Sequence, residues 1–280
     1  MRKTLCRSAK PWWNGTYNGT IHRLPSGEIV RADALDFLAS LKPESADLIF
    51  LDPPFNLGKV YGRASHKRDR LDNTEYATFM DRVLLECINI LKPGGALFLY
   101  HIPKWAASFT YILGQHLQFR HWIAISMKNG FVRGNYLYPA HYALLYYSKG
   151  LPGHFRRPKT PLQRCRHCAG LIKDYGGYKQ FVSDGVNLSD IWDDISPVRH
   201  IKYKHRRANE LPYDIASRIL SIAGFSGGIL VDPFVGTGTS ILAAITHDMS
   251  FVACDRDTAS IKVAIRRVLA SREFIKKGQS

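Results

Sequence analysis

Apolar and polar positions along this chain fall into three successive patterns. Between residues 27 and 126 short apolar runs alternate with longer amphipathic stretches. "GEIVRAD" reads as a short strand, followed by a helix from Ala34 to Leu41. "ADLIFLD" is the next strand, apolar enough to be buried on both faces. From Thr74 to Leu91 the apolar positions Tyr76, Phe79, Met80, Val83, Leu84, Cys87, Ile88 and Leu91 follow the spacing of one helix face. "KPGG" should end that helix, because Pro93 cannot continue it and Gly94 and Gly95 permit a turn. "ALFLY" then reads as a strand. This βαβαβ order predicts a parallel sheet covered by helices.

The rhythm breaks over residues 127–208, where glycine, proline, basic residues and tyrosine replace it around one strand-like run, "HYALLYYS". It returns over residues 209–280. "LPYDIASRILSIAG" is a helix, "GILVD" a strand, "GTSILAAITH" a helix, "SFVACD" a strand, and Thr258 to Phe274 a helix. The expected organisation is a catalytic half at 20–126 and a basic, tyrosine-rich insertion at 127–208. A ligand-binding half at 209–280 would join the first in one structural domain.

Two strand ends carry residues that a strand end does not need. "ILVDPFVGTGTS", Ile229 to Ser240, runs from a strand through a glycine loop into a helix. In α/β sheets ligands bind at that turn. A phosphate ligand is disfavoured, since there is no Walker lysine, the pattern is not GxGxxG, and Asp232 would repel pyrophosphate. Asp255 ends the next strand, 23 residues after Asp232. An acid at about that distance commonly binds ribose hydroxyls. A ligand with a ribose and positive charge but no phosphate requirement fits, and S-adenosylmethionine (AdoMet) is such a ligand. The other strand end is "LDPPFNLGK". Asp52 offers a carboxylate oxygen, and Pro54 restricts Pro53 so that its carbonyl is a stiff second acceptor. Two acceptors on the N–H bonds of an exocyclic amine draw its nitrogen toward tetrahedral geometry. Phe55 is expected to offer a face on which a flipped base stacks.

"DPPF" ahead of "DPFVGTGTS" resembles the DNA amino-methyltransferases that form N6-methyladenine or N4-methylcytosine, and the motif order resembles their permuted beta class. The likeness extends through "VRADALDFLASLKPESADLIFLDPPFNLGKVY", "HWIAISMK", "AHYALLYYSKG" and "KHRRANELPYDIASRIL". The resemblance implies a Rossmann-like α/β fold with a mostly parallel seven-stranded sheet, helices on both faces and circularly permuted motifs. It implies Asp52, Pro53, Pro54 and Phe55 as the catalytic motif, with AdoMet bound by Asp232, Phe234, Gly236, Thr237, Gly238 and Asp255. Asp33 matches an acid near the cofactor's adenine. Asn209, Leu211 and Pro212 match the segment that closes over its methionine end. Phe55 departs from the more usual tyrosine and loses a hydroxyl. An initial Asp is mostly found in adenine enzymes, so N6 of adenine is favoured over N4 of cytosine. Duplex DNA, a second copy of the chain and a cognate restriction endonuclease are the partners implied.

Composition supports a nucleic-acid substrate. The net charge is +16, and residues 120–207 hold 16 Lys and Arg against five Asp and no Glu, together with eight of the 14 tyrosines. Cation excess interleaved with aromatics suits nucleic acid, DNA or RNA. Lys59, Lys128, Arg133, Arg156, Arg157, Arg164, Lys179 and Lys204 are the candidate DNA contacts. Five scattered cysteines argue against a disulfide framework and fit a reducing compartment. Cys165 and Cys168 lack a second CxxC, so free thiols are favoured over zinc and no metal site is expected. The basic N-terminus has no apolar signal-peptide core and no run approaches a membrane span, so a cytoplasmic protein is expected.

Overall fold

The computed structural model describes residues 10–15, 19–57, 71–127, 135, 137–165, 167–172, 182, 184–195 and 210–277, with side chains as far as 271. The elements of the first half are β1 (Ile21–Leu24), β2 (Gly27–Arg31), α1 (Ala34–Ala39), β3 (Ala46–Leu51), α2 (Asn73–Ile90), β4 (Leu91–His101), α3 (Pro103–His116), β5 (Gln118–Ser126) and β6 (His141–Ser148). Three two-residue strands come next, β7 (Lys159–Thr160), β8 (Val186–Asn187) and β9 (Ile191–Trp192). The chain ends with α4 (Tyr213–Ala223), β10 (Ile229–Asp232), α5 (Thr239–Thr246), β11 (Ser250–Asp255) and α6 (Thr258–Lys277).

Among the described residues nine strands form one sheet in the order β1-β2-β11-β10-β3-β4-β6-β5-β9. The run from β2 to β4 is parallel throughout, whereas β6 is antiparallel to both β4 and β5. The expected seven strands are therefore corrected to nine, in a mixed sheet whose pairings are mostly parallel. β1 hairpins onto one edge, and β9 adds to the other, parallel to β5. β6, which falls within the segment 127–208 expected as an insertion, lies in the sheet between β4 and β5.

Side chains of each inner strand alternate between two cores. Leu48 and Phe50 of β3 face one core with Ile219 of α4, Ile241 of α5 and Ile261 of α6. Ile49 and Leu51 face the other with Phe37 of α1, Val83 of α2 and Phe109 of α3. The helices thus cover both faces. α2 starts at a capping box, with Asp72 accepting from the Thr74 N–H and Glu75 accepting from the Asp72 N–H. Its buried positions are Tyr76, Met80, Val83, Leu84, Cys87 and Ile90. "KPGG" does end the helix, but it forms a bulge within β4 rather than a separate turn. Ala46 pairs with Leu91 and Leu48 with Ala96, so the register shifts across it. At the N-terminal end the indoles of Trp12 and Trp13 donate to buried Glu28 at 3.1 and 2.6 Å, which ties that segment to β2.

Candidate active site

Four neighbouring parallel strands, β2, β11, β10 and β3, end at one edge of the sheet, and an acid stands at each end: Asp33, Asp255, Asp232 and Asp52. Chain direction explains this, since all four strands reach the edge with their carboxyl ends, where α/β sheets bind ligands. β4 reaches the same edge and ends at His101.

Between β3 and β10 lies a small cleft open to solvent. Asp52, Phe50, Leu211, Asp232, Phe234, Gly236 and Thr237 are among the residues that line it. The two motifs, far apart in sequence, therefore share one cavity. Asp52 is half-buried there. Asp232 is 2% exposed. Its carboxylate accepts from the Phe234 N–H at 2.8 Å and from the Ser240 hydroxyl. Burial pushes this carboxyl up to about 7 against those two hydrogen bonds, and the charges of Asp52 and Asp255 add to the rise. Asp255 accepts from Gly236 N–H at 2.9 Å and Asp257 N–H at 2.7 Å. Asp33 caps α1, accepting from the Leu35 N–H, and pairs with Arg256 at 3.8 Å. Leu211 is nearly buried on the cleft wall, and Pro212 begins α4.

The glycines serve the loop as much as any ligand. Gly238 has φ +87°, and a Cβ there would lie 2.9 Å from the Ala264 Cβ of α6. Only glycine satisfies both that left-handed turn and the close helix approach. Arg267, which sequence reasoning does not single out, crosses from α6 to donate to the Thr237 carbonyl at 2.9 Å. It also lies 3.8 Å from the Glu210 carboxylate. A cation beside small hydroxyl residues has no motif that would announce it.

At the tetrapeptide the structure corrects one expectation. Phe55 is 3% exposed and offers no open stacking face. Its ring packs against His101 at 4.8 Å, Tyr100 at 5.8 Å and Tyr142 at 5.8 Å, centroid to centroid. Tyr142 is the half-exposed member of this cluster, and its hydroxyl is held protonated by burial and then by the charge of Asp52. Beneath the turn, the Tyr76 hydroxyl donates to the Pro54 carbonyl at 2.6 Å. Asn56, at φ +54°, exchanges two hydrogen bonds with the Leu71 backbone and so joins the two ends of the intervening segment.

Of the proposed DNA contacts, Lys59, Lys128, Arg133, Lys179 and Lys204 lie outside the described residues, as does Asn209. Arg156 donates to the Gly224 carbonyl and Arg164 to the Ala169 carbonyl, while Arg157 sits over the Phe155 ring at 5.8 Å. All three remain exposed. Cys165 and Cys168 are free thiols on a short turn, and among the described residues no three metal-ligating side chains converge. No helix of the described residues is long and apolar enough to cross a membrane.

A glycine loop, an acid at each strand end and a cleft at the carboxyl edge define an AdoMet-binding α/β fold. Residues 46–266 match the model of the DNA methylase family (N6_N4_Mtase), and the chain belongs to that family. It is 44% identical over 216 residues to the Type II methyltransferase M.BamHI of Bacillus amyloliquefaciens. That match covers 76% of this chain and 51% of the relative, so the chain spans about half the relative's length. Among solved structures, M1.HpyAVI in complex with AdoMet superposes with a TM-score of 0.55 at 17% identity, over 86% of this chain and 99% of that one. The cytosine-N4-specific PvuII DNA methyltransferase superposes at 0.60 and 12% identity, over 86% and 85%. AdoMet is the family's methyl donor.

Proposed function

We propose that this chain methylates the exocyclic amino group of a base in duplex DNA, at N6 of adenine within a short recognition sequence. The observation that carries this reading is the single cleft shared by Asp52 and the glycine loop. The residues fit AdoMet: backbone and small side chains face the cavity, no lysine or arginine among the described residues lines it, and two acids stand where a cationic ligand would lie. Bound AdoMet would supply an electrophilic methyl on its sulfonium. Phe234, Gly236, Thr237, Gly238 and Leu211 would hold it, with Asp255 toward its ribose and Asp33 toward its adenine.

Asp52 and the Pro53 carbonyl would accept the two N–H bonds of the target amine and direct its lone pair at the methyl carbon. Asp52 would also take up the proton that the amine loses. The rest of the gain is alignment. Because Phe55 is buried, Tyr142 is the better candidate for the ring against which a flipped base rests. The motif order supports a place in the permuted class, and residues 127–208 outside β6 would supply target recognition, together with the basic residues named above. A homodimer and a cognate endonuclease complete the reading.

Cytosine N4 is the second reading. The same two acceptors serve either amine, and a protein with this fold carries that specificity. Labelled AdoMet, unmethylated duplex DNA and nucleoside analysis separate them. Label in N6-methyladenine supports the first reading and label in N4-methylcytosine the second. Label in neither, with AdoMet bound and RNA labelled instead, would overturn both. The DNA face is tested by neutralising Arg157 and Arg164. Each phosphate contact removed should flatten the plot of log K against log salt by about 0.9, and an unchanged slope would move the contact surface elsewhere.

A further inference from the structure

Two consecutive carbonyls come after Asp52, those of Pro53 and Pro54, and the proposed chemistry needs only the first. We infer that His101 and Tyr76 are positioning residues that capture the Pro54 carbonyl and so leave the Pro53 carbonyl facing the target amine. The inference rests on the reading of Asp52 and Pro53 given above and extends it to residues outside the motif.

The hydrogen bonds leave one arrangement of protons. His101 is fully buried at the end of β4, and Tyr76, 2% exposed, lies in the first turns of α2. The Ile102 N–H donates to His101 Nδ1 at 2.8 Å, so that nitrogen carries no proton. Tyr76 spends its one hydroxyl proton on the Pro54 carbonyl, at 2.6 Å. The 2.7 Å contact between Tyr76 Oη and His101 Nε2 must then run from Nε2–H to the hydroxyl oxygen. The chain runs from His101 to Tyr76 to Pro54, and the His101 ring also interacts directly with the Pro54 backbone.

Burial supports the neutral ring, pushing the imidazole down to about 3 against the upward pull of its backbone partners. A neutral ring keeps positive charge away from the cleft where a cationic donor would bind. The walls of the network are stiff. Tyr76 packs edge-on to Trp105 at 4.7 Å, and His101 packs on Phe109 at 5.6 Å and on Phe55 at 4.8 Å. His101 therefore touches the turn through Tyr76, at the Pro54 backbone itself and under the Phe55 ring.

The test is Tyr76→Phe, which keeps the ring and removes the hydroxyl. The expected result is a fall in kcat of about tenfold to a hundredfold, the scale set by a catalytic group displaced by about 1 Å. AdoMet affinity should stay within about twofold. A filler role in the core would lower stability and leave kcat alone, so wild-type kcat in the folded variant overturns the inference while leaving the methylation reading intact. His101→Gln, which can still donate from its amide, should retain more activity than His101→Ala; equal loss would also overturn it. A readout independent of activity is the nitrogen spectrum of the His101 ring in the unmodified protein at neutral pH. The Nε2–H tautomer is expected. An Nδ1–H ring sinks the inference even if no methyl transfer is ever seen, whereas no transfer by the unmodified protein, with the expected tautomer, counts against the methylation reading alone.

Discussion

β3 and β10 lie side by side and parallel, and each ends in Asp-Pro, yet the two acids do different work. Asp232 is buried, accepts from Phe234 N–H and the Ser240 hydroxyl, and has its carboxyl pushed up to about 7. Asp52 is half-buried on the wall of the same cleft. The residues on the C-terminal side of each dipeptide make the difference. After Asp232 the chain turns through Gly236 and Gly238 into α5, so the turn folds back over its own acid. After Asp52 a second proline stiffens the chain, and Asn56 bonds the Leu71 backbone instead of the acid. One acid organises a loop, and the other lines the open cleft.

That contrast breaks most sharply under the same substitution at both places. Asp52→Ala should reduce methyl transfer by about 1000-fold or more and leave AdoMet binding and melting temperature close to wild type. Isothermal titration, melting curves and labelled-methyl counting measure the three, and equal loss of AdoMet binding would remove Asp52 from the amine-holding role. Asp232→Ala should instead lower stability by about 2–4 kcal/mol, because the Phe234 N–H and the buried Ser240 hydroxyl lose their acceptor. Denaturant melts test this, and a variant of unchanged midpoint would mean that Asp232 does not hold the loop. Next in size is Gly238→Ala. The positive φ and the contact with Ala264 together should cost about 1–3 kcal/mol and weaken AdoMet binding with it, since α5 cannot start where it does without that turn. Wild-type affinity and stability would show that α6 gives way.

How far this contrast is legible in sequence depends on how local its causes are. The strand ends, the glycine loop and the face of α2 are local patterns, and they predict β3, β10, α5 and α2 to within a few residues. α3 escapes a reading of the sequence although Trp105, Ala106, Phe109 and Leu113 have helical spacing, because Pro103 comes straight after β4 with no polar spacer to mark a new element. β6 is legible as a strand but not as an inner one, since only its pairing partners fix that place. The burial of Phe55 is not legible at all. Its neighbours Tyr100, His101 and Tyr142 come from two other strands, and a single aromatic in a motif reads equally well as a platform or as core. Arg267 and the link from His101 to Tyr76 likewise depend on which helix end meets which loop.

The smallest expected effect is also the finest probe of the two acids. A carboxyl whose folded pKa is raised makes the native state bind more protons than the unfolded state between the two pKa values. For Asp232 the window runs from the ordinary value of 3.8 to about 7. The contribution to stability is fully present below the lower value and is lost as pH rises through the upper. His101 acts in the opposite sense. Its folded pKa is lowered from 6.5 to about 3, so its contribution is present above 6.5 and is lost as pH falls. The two slopes oppose each other between about pH 4 and 6.5, so wild type alone would look nearly flat there. Asp232→Asn removes one of them and can keep the bond from the Phe234 N–H through its amide oxygen. The difference between wild-type and variant melting midpoints should therefore change steadily between about pH 4 and 7, with the variant gaining on wild type as pH rises. If the difference is constant across that range, Asp232 is ionised throughout and burial does not raise its carboxyl.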